Sequence, residues 1–120
     1  MTQKEINAAK KTLPSRFEYR TWTEEQKRLD WELSCRDMIN SCLVYSGIRA
    51  FWERCEWRTG DKSYADPYVR ALGRKRVEEL VAEQEADFAK AKVFRDVYTD
   101  SEGVSYNSIR WGDEYIQLEL

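Results

Sequence analysis

A chain of 120 residues is about one domain, long enough to bury roughly two thirds of its unfolded surface. Charged residues at 35% and hydrophobic residues at 42% exclude wholesale disorder. The absence of histidine excludes Ser-His-Asp, Cys-His and histidine–metal sites. The net charge of −2 and the pI of about 5.3 differ from the clearly basic character of most nucleic-acid-binding domains.

The sequence favours a cytoplasmic protein. No apolar run approaches the ~20 residues of a membrane span, and the N-terminal MTQKEINAAKK lacks the apolar core of a signal peptide. We therefore expect a cytoplasmic location, or the host cytoplasm if a phage encodes the chain. Reduced thiols at Cys35, Cys42 and Cys55 follow from this expectation, since disulfides are rare in that compartment.

The N-terminal segment predicts a short helix over residues 2–11. Thr2 and Glu5 have the spacing of a capping box. The apolar content of this helix is thin and consists of Ile6, Ala8 and Ala9. We therefore expect residues 1–12 to be a loosely attached helix within a single domain of residues 1–120.

Residues 16–22 predict a strand, because Phe17, Tyr19 and Thr21 alternate with Glu18, Arg20 and Trp22. Alternation hides one set of side chains in a strand, which favours core positions for these aromatic residues. A binding surface remains the alternative, because basic residues lie between them.

The stretch from Thr23 predicts the central helix of the fold, beginning at Glu24 and running at least to Tyr45. Thr23 and Gln26 form a second capping box. One apolar stripe of this helix contains Trp31, Cys35, Met38, Cys42 and Tyr45, and Leu29, Leu33 and Val44 lie roughly opposite. A helix that is apolar on two sides is covered on two sides, so we predict that Met38 and Cys42 are buried. A shift of the stripe predicts a kink or break at Gly47.

A second helical pattern follows Asp66-Pro67, which is a strong start signal, and continues to about Phe94. Its register changes at Gly73, which predicts a kink or a separate short helix before that residue. Beyond Gly73, one inward face is predicted to hold Val77, Leu80, Val81, Gln84 and Phe88. Gln84 is the polar member of this face and needs hydrogen-bond partners if it is buried.

The C-terminal part alternates with period two and contains the turn signals Asp100–Gly103 and Gly112-Asp113. It predicts a three-stranded antiparallel meander, to which residues 16–22 could add a strand. A sheet with one apolar face needs a cover. The predicted fold class is therefore α+β, with long central helices packed on a small antiparallel sheet.

The charges divide the chain into two parts. Residues 1–76 hold 16 Lys and Arg against 11 Asp and Glu, and residues 77–120 hold 4 against 11. The densest basic cluster, a candidate nucleic-acid site, consists of Arg70, Arg74, Lys75 and Arg76. A second basic group, with aromatic residues beside it, consists of Lys10, Lys11, Arg16 and Arg20.

The acidic part predicts a surface for a basic partner protein. Its candidate contact residues are Glu78, Glu79, Glu83, Glu85 and Asp87. No catalytic set, metal site or cofactor motif appears, so we expect a small non-catalytic protein-binding module. Phage-encoded inhibitors of host defence nucleases, of the anti-CRISPR type, are a functional analogy, since such a module would occupy a basic surface. The alternatives are a nucleic-acid-binding accessory protein and a subunit of a larger assembly. The two-sided central helix is also compatible with a homodimer.

Overall fold

The structure, a computed structural model, describes residues 1–53, 63–90, 93–111 and 114–119, with side chains for 1–53, 63–90 and 99–105. Five α-helices are described, and we label them α1 (Gln3–Lys10), α2 (Glu24–Tyr45), α3 (Ile48–Trp52), α4 (Asp66–Leu72) and α5 (Arg74–Lys90). A 3-10 helix, Arg16–Thr21, lies between α1 and α2. Cys55 lies outside the described residues.

Both predicted capping boxes are confirmed. The Thr2 hydroxyl accepts from the backbone N–H of Glu5, whose carboxylate accepts from the backbone N–H of Thr2. Thr23 and Gln26 make the same reciprocal pair at the start of α2. These local bonds satisfy N–H groups that have no partner inside the helix, so they set where each helix begins.

Both predicted breaks are confirmed as well. Gly47 separates α2 from α3 at φ 84°, and Gly73 separates α4 from α5 at φ 85°. A residue with a Cβ atom rarely adopts such a conformation, so glycine allows the chain to turn sharply between two helices.

Helix α2 is the centre of the fold, as predicted, and contacts α1, α3, α4 and α5. One apolar core joins α2 to the three helices that follow it. Its buried members are Cys35, Ile39, Cys42, Phe51, Ala65, Leu72, Val77, Leu80 and Val81. The predicted burial of Cys42 is confirmed. The predicted burial of Met38 is wrong, because Met38 is half-buried at the edge of the core and Ile39 holds the fully buried position.

Helix α1 packs on α2 through a fully buried Ile6 and a buried Gln3. The Gln3 amide donates to Asn7 and to Asp37 and accepts from Asn40. Lys10 also forms an ion pair with Asp37. Ile6, the buried apolar side chain of α1, therefore lies between polar contacts made by Gln3 and Lys10.

The strand predicted for residues 16–22 is wrong, because this segment is the 3-10 helix. The Ser15 hydroxyl accepts from the backbone N–H of Phe17, and the Trp22 backbone N–H donates to the Tyr19 carbonyl. The segment satisfies its backbone locally, so it needs no neighbouring strand. Of its three aromatic residues Trp22 is buried, whereas Phe17 and Tyr19 are exposed.

The predicted α+β class is also wrong, because the protein is mainly helical. Among the residues with described side chains, 74% are helical and 3% are extended. The backbone of β1 (Val93–Thr99), β2 (Ser105–Trp111) and β3 (Glu114–Glu119) pairs antiparallel in chain order. The expected packing of long helices on this meander is not found in the described core, whose members lie in helices or directly before α4. Within the described residues, α3, α4 and α5 close the core on one apolar side of α2, and α1 also packs on α2.

Candidate protein-interaction surfaces

The inward face of α5 is confirmed. Val77, Leu80, Val81 and Gln84 are buried, and Phe88 is half-buried. Since this stripe faces the core, the remaining sides of α5 carry its charged residues outward. The predicted acidic residues Glu78, Glu79, Glu83 and Glu85 are exposed, and Asp87 is partly exposed.

Most of these carboxylates form ion pairs within the chain. Glu78 accepts from Arg74 Nε at 2.9 Å, and Glu79 accepts from Arg76 Nη1 at 3.0 Å. Asp87 binds the amino group of Met1. Glu85 makes no ion pair with the part of the chain that the structure describes. The negative charge of this acidic surface is therefore largely neutralised by ion pairs, and Glu85 is the member whose charge is not.

Glu83 differs from the other carboxylates, because its partner belongs to the interior. Its Oε2 accepts from Arg36 Nη2 at 2.6 Å, and the Arg36 side chain is only 11% exposed. A guanidinium that has lost most of its water needs a compensating charge. Glu83 thus stabilises the fold, whereas Glu78 and Glu79 form exposed pairs along one helix, which contribute only a few tenths of a kcal/mol.

The predicted basic cluster is brought together at the junction of α4 and α5, but its arginines are engaged. Arg70 pairs with Asp66 at 3.1 Å, and Arg74 lies over the Trp52 ring at 4.2 Å in addition to its pair with Glu78. Arg76 donates to Glu32 on α2 at 2.8 Å, and this hydrogen bond raises the pKa of Arg76. Lys75 is exposed and pairs with none of the described carboxylates. Arg76 is therefore held in the fold by a pair between two helices, whereas the exposed pairs of Arg70 and Arg74 contribute only a few tenths of a kcal/mol and do not by themselves exclude a phosphate.

Gln84 is fully buried at the centre of a polar network, and its predicted need for partners is confirmed. Its Oε1 accepts from Arg36 Nη1 at 2.8 Å and from the Met1 amino group at 3.0 Å. Its Nε2 donates to Asn40 Oδ1 at 2.6 Å and to the Met1 carbonyl at 2.8 Å. One amide therefore joins α5, α2 and Met1, which lies two residues before α1.

The 3-10 helix presents Phe17 entirely to solvent, with a relative exposure of 102%. The backbone beneath it is braced from both sides. Trp22 donates its indole N–H to the Ser15 carbonyl at 3.1 Å, and Arg16 binds both oxygens of Asp30 on α2. This arrangement leaves a large aromatic side chain outward on a fixed turn, where a partner surface can bury it.

A groove of about 470 Å³ lies beside α2 and α4 and is lined by Trp31, Asp66, Pro67, Arg70 and Ala71. Its lining is mostly apolar. Trp31 is fixed there by an edge-on contact with Tyr68 at 6.0 Å between ring centroids. The Asp66–Arg70 ion pair supplies one charge of each sign.

Cys35 in the core and Tyr68 beside it are held in their neutral forms. Burial raises the pKa of the Cys35 thiol to about 12 and that of the Tyr68 phenol to about 12. Both groups are therefore protonated at neutral pH, where a thiolate would be needed for nucleophilic attack. No group of three or more Cys, Asp and Glu residues with metal-binding geometry occurs among the described residues. Within the same residues, no helix has the length and apolarity needed to cross a membrane.

Comparisons with known proteins give no match to a family model, to a curated protein or to a solved structure.

Sequence reasoning missed two residues of these surfaces. Phe17 was expected in the core because its segment alternates, but Pro14 and Ser15 before it are also signals of a local turn. Arg36 was not recognised as the partner of Glu83, because the two lie 47 residues apart and meet only through the packing of α2 against α5.

Proposed function

We propose that the protein is a non-catalytic protein-binding module whose α5 contacts a basic surface of a partner protein. The observation that carries this proposal is the exposed flank of α5 formed by Glu78 and Glu85. These residues are seven positions apart, two helical turns, and therefore lie on the same side of the helix. The buried stripe fixes the rotation of α5, so this flank remains exposed.

The ion pairs of α5 leave this flank able to bind. The Glu78–Arg74 pair is exposed and lies four residues apart on one helix, and such pairs contribute about 0.3–0.5 kcal/mol. A lysine or arginine of a partner that excludes water can exchange with Arg74 at little cost. Arg74 then keeps its contact with the Trp52 ring.

The narrower form of this proposal is an inhibitor that occupies the basic nucleic-acid channel of a nuclease, as phage-type inhibitors of host defence do. It is supported by an acidic helix surface and by the analogy of small size without a catalytic set. A cytoplasmic location belongs to the same proposal, since Cys35 and Cys42 are free thiols.

The test begins with capture of the partner from the native host on the intact chain, followed by surface plasmon resonance with the purified partner. Glu78→Gln with Glu85→Gln removes two charges from the flank and introduces no repulsion. We expect association to slow by about three- to tenfold at low salt, because charges at an interface rim act mainly on the on-rate. The difference should vanish at high salt, where screening removes the long-range attraction.

The matched control is Glu25→Gln with Glu102→Gln, which makes the same change of net charge at exposed residues outside α5. This control should associate like the unmodified protein. An equal loss of on-rate in both double variants would show that net charge alone acts. An unchanged on-rate in the α5 variant would reject the proposal. Glu83 is left intact because it compensates the mostly buried Arg36.

A gel-shift assay separates the nucleic-acid alternative. If the basic cluster binds nucleic acid, the intact protein shifts DNA or RNA at low salt, and Arg74→Glu with Arg76→Glu abolishes the shift. Arg76 is held by Glu32 on α2, and the exposed carboxylates of Glu78 and Glu79 lie beside the cluster and repel phosphate, so we expect no shift. A shift that requires them would overturn the protein-binding proposal in favour of a nucleic-acid role.

A further inference from the structure

The chain carries both an exposed anchor and a groove that could receive it. Phe17 is fully exposed on the braced 3-10 helix, although burial of a phenylalanine side chain yields about 1.5–3 kcal/mol. The groove beside Trp31 and Ala71 is mostly apolar, and its volume of about 470 Å³ exceeds that of a phenyl ring.

The anchor and the groove adjoin each other on α2. Arg16, the neighbour of Phe17, is bound to Asp30, and the next residue, Trp31, lines the groove. Successive helical residues point about 100° apart. The two features therefore occupy neighbouring sides of the N-terminal third of α2, so a second copy related by a two-fold axis could engage both at once.

The charges beside the two features are complementary. Glu18 and Arg20 follow Phe17 by one and three residues in the same 3-10 helix, are exposed, and make no ion pair with described residues. The groove carries Arg70 and Asp66, which pair with each other at 3.1 Å, so its rim has no net charge. Glu18 and Arg20 also sum to zero, so docking of Phe17 opposes no like net charges, and its acid and base can extend the Asp66–Arg70 pair into a four-charge network.

We propose that Phe17 of one copy inserts into the Trp31–Ala71 groove of a second copy of the chain. This contact uses surfaces other than the Glu78–Glu85 flank, so it stands independently of the proposed function. Two reciprocal contacts close a two-fold dimer and avoid an open chain.

The dimer should be weak. Two inserted phenylalanine side chains bury about 300–500 Å², which is far less than the ~1,200 Å² at the lower end of stable interfaces. We therefore expect association in the high micromolar range. Sedimentation equilibrium from about 10 μM to 1 mM covers this range.

Phe17→Ala removes the anchor and should raise the dissociation constant of the dimer at least about tenfold. Ala71→Trp fills the groove and should have the same effect, with Ala71→Gln as a smaller blocking residue if the tryptophan variant does not fold. The control is Leu29→Ala, which removes an exposed apolar side chain on α2 nearly opposite Trp31. This control should dimerise normally. Thermal melts should show that Phe17→Ala leaves the monomer fold unchanged, because the side chain makes no core contact.

Mixing the two variants gives the decisive measurement. The Phe17→Ala copy retains its groove and the Ala71→Trp copy retains its anchor, so the mixture can form one intact contact. We expect the mixture to associate more strongly than either variant alone. A protein that is monomeric at 1 mM, association that survives both variants, or a mixture no stronger than its components would each overturn the proposal.

Discussion

Replacement of Gln84 by methionine tests the buried polar network with almost no change in side-chain volume. The variant removes the amide that accepts from Arg36 and donates to Asn40, and Met is long and unbranched enough to occupy the same space. A loss of stability would therefore report unsatisfied polar groups and not a cavity.

The expected magnitude follows from the partners that remain. Asn40 Oδ1 loses its donor in a site that is 1% exposed, and an unsatisfied buried acceptor costs about 1–3 kcal/mol. Arg36 keeps Glu83 but loses its second acceptor, and hydrogen bonds to charged groups contribute about 1.5–3 kcal/mol. The contacts with Met1 lie closer to water and add little. The sum is about 3–5 kcal/mol, which lowers the melting temperature by about 10–20 °C in a chain of this length.

The assay is thermal and urea unfolding followed by circular dichroism. Glu85→Met is the matched control, because it introduces the same residue one position further along α5 at an exposed site. Its stability should change by less than about 0.5 kcal/mol. In Gln84→Met, amide hydrogen exchange in α1 should also accelerate, since Asn40 holds Gln3. A Gln84→Met melting temperature within about 2 °C of the unmodified protein would refute the network argument.

Three further predictions concern the core, a turn and pH. Ile39→Ala should cost about 2–5 kcal/mol and Met38→Ala clearly less, because Ile39 is fully buried and Met38 is half-buried; urea unfolding compares them. Gly73→Ala should cost about 1–3 kcal/mol by the same assay, entirely from backbone strain, because a Cβ there meets no atom within 4 Å. Stability should change little from pH 7 to pH 8 and fall from about pH 9 towards pH 12, since burial raises the pKa of Cys35 from 9.0 and of Tyr68 from 10.0, each to about 12. The folded state then keeps protons that the unfolded state loses, and a urea midpoint equal at pH 8 and pH 10.5 would contradict this.

The features that were predicted correctly from the sequence depend on residues close together in the chain. The start of α2 follows from Thr23 and Gln26, which satisfy each other's backbone groups whatever the rest of the protein does. The breaks at Gly47 and Gly73 follow from a residue whose backbone conformation other residues avoid. The inward face of α5 follows from helical periodicity alone.

The features that sequence missed depend on competition between local and long-range partners. Alternation from Phe17 to Trp22 fits a strand, but the backbone of a strand needs hydrogen bonds from a neighbouring strand. Here the Ser15 hydroxyl accepts from the backbone N–H of Phe17 and starts a local turn in place of a strand. The α+β class failed for a related reason. Two apolar sides of α2 require two covers, but hydrophobic patterning does not say whether a cover is a helix or a sheet.

The charged residues of the candidate surfaces also form both local and long-range pairs. Counts of charge along the sequence therefore did not identify which charges are free to bind a partner. The pairs Arg74–Glu78 and Arg70–Asp66 have the i,i+4 spacing and are visible in the sequence. Arg36–Glu83 and Arg76–Glu32 form only when α5 packs on α2. Glu83 and Arg76, which the sequence assigned to binding clusters, therefore connect the two helices. A cluster identified by counting therefore overstates the charge that is free to bind.

Among the described residues, the two surfaces on which the proposals rest are the exposed apolar ring of Phe17 and the acidic flank around Glu85. Different forces favour binding at the two surfaces. Burial of the Phe17 ring is favoured by the hydrophobic effect, whereas the Glu85 flank attracts a partner by electrostatic forces that salt screens. Self-association through Phe17 should therefore persist at high salt, whereas attraction of a basic partner to the Glu85 flank should fade. If Phe17→Ala also slowed partner binding at low salt, the two surfaces would form a single interface and the dimer would compete with the partner.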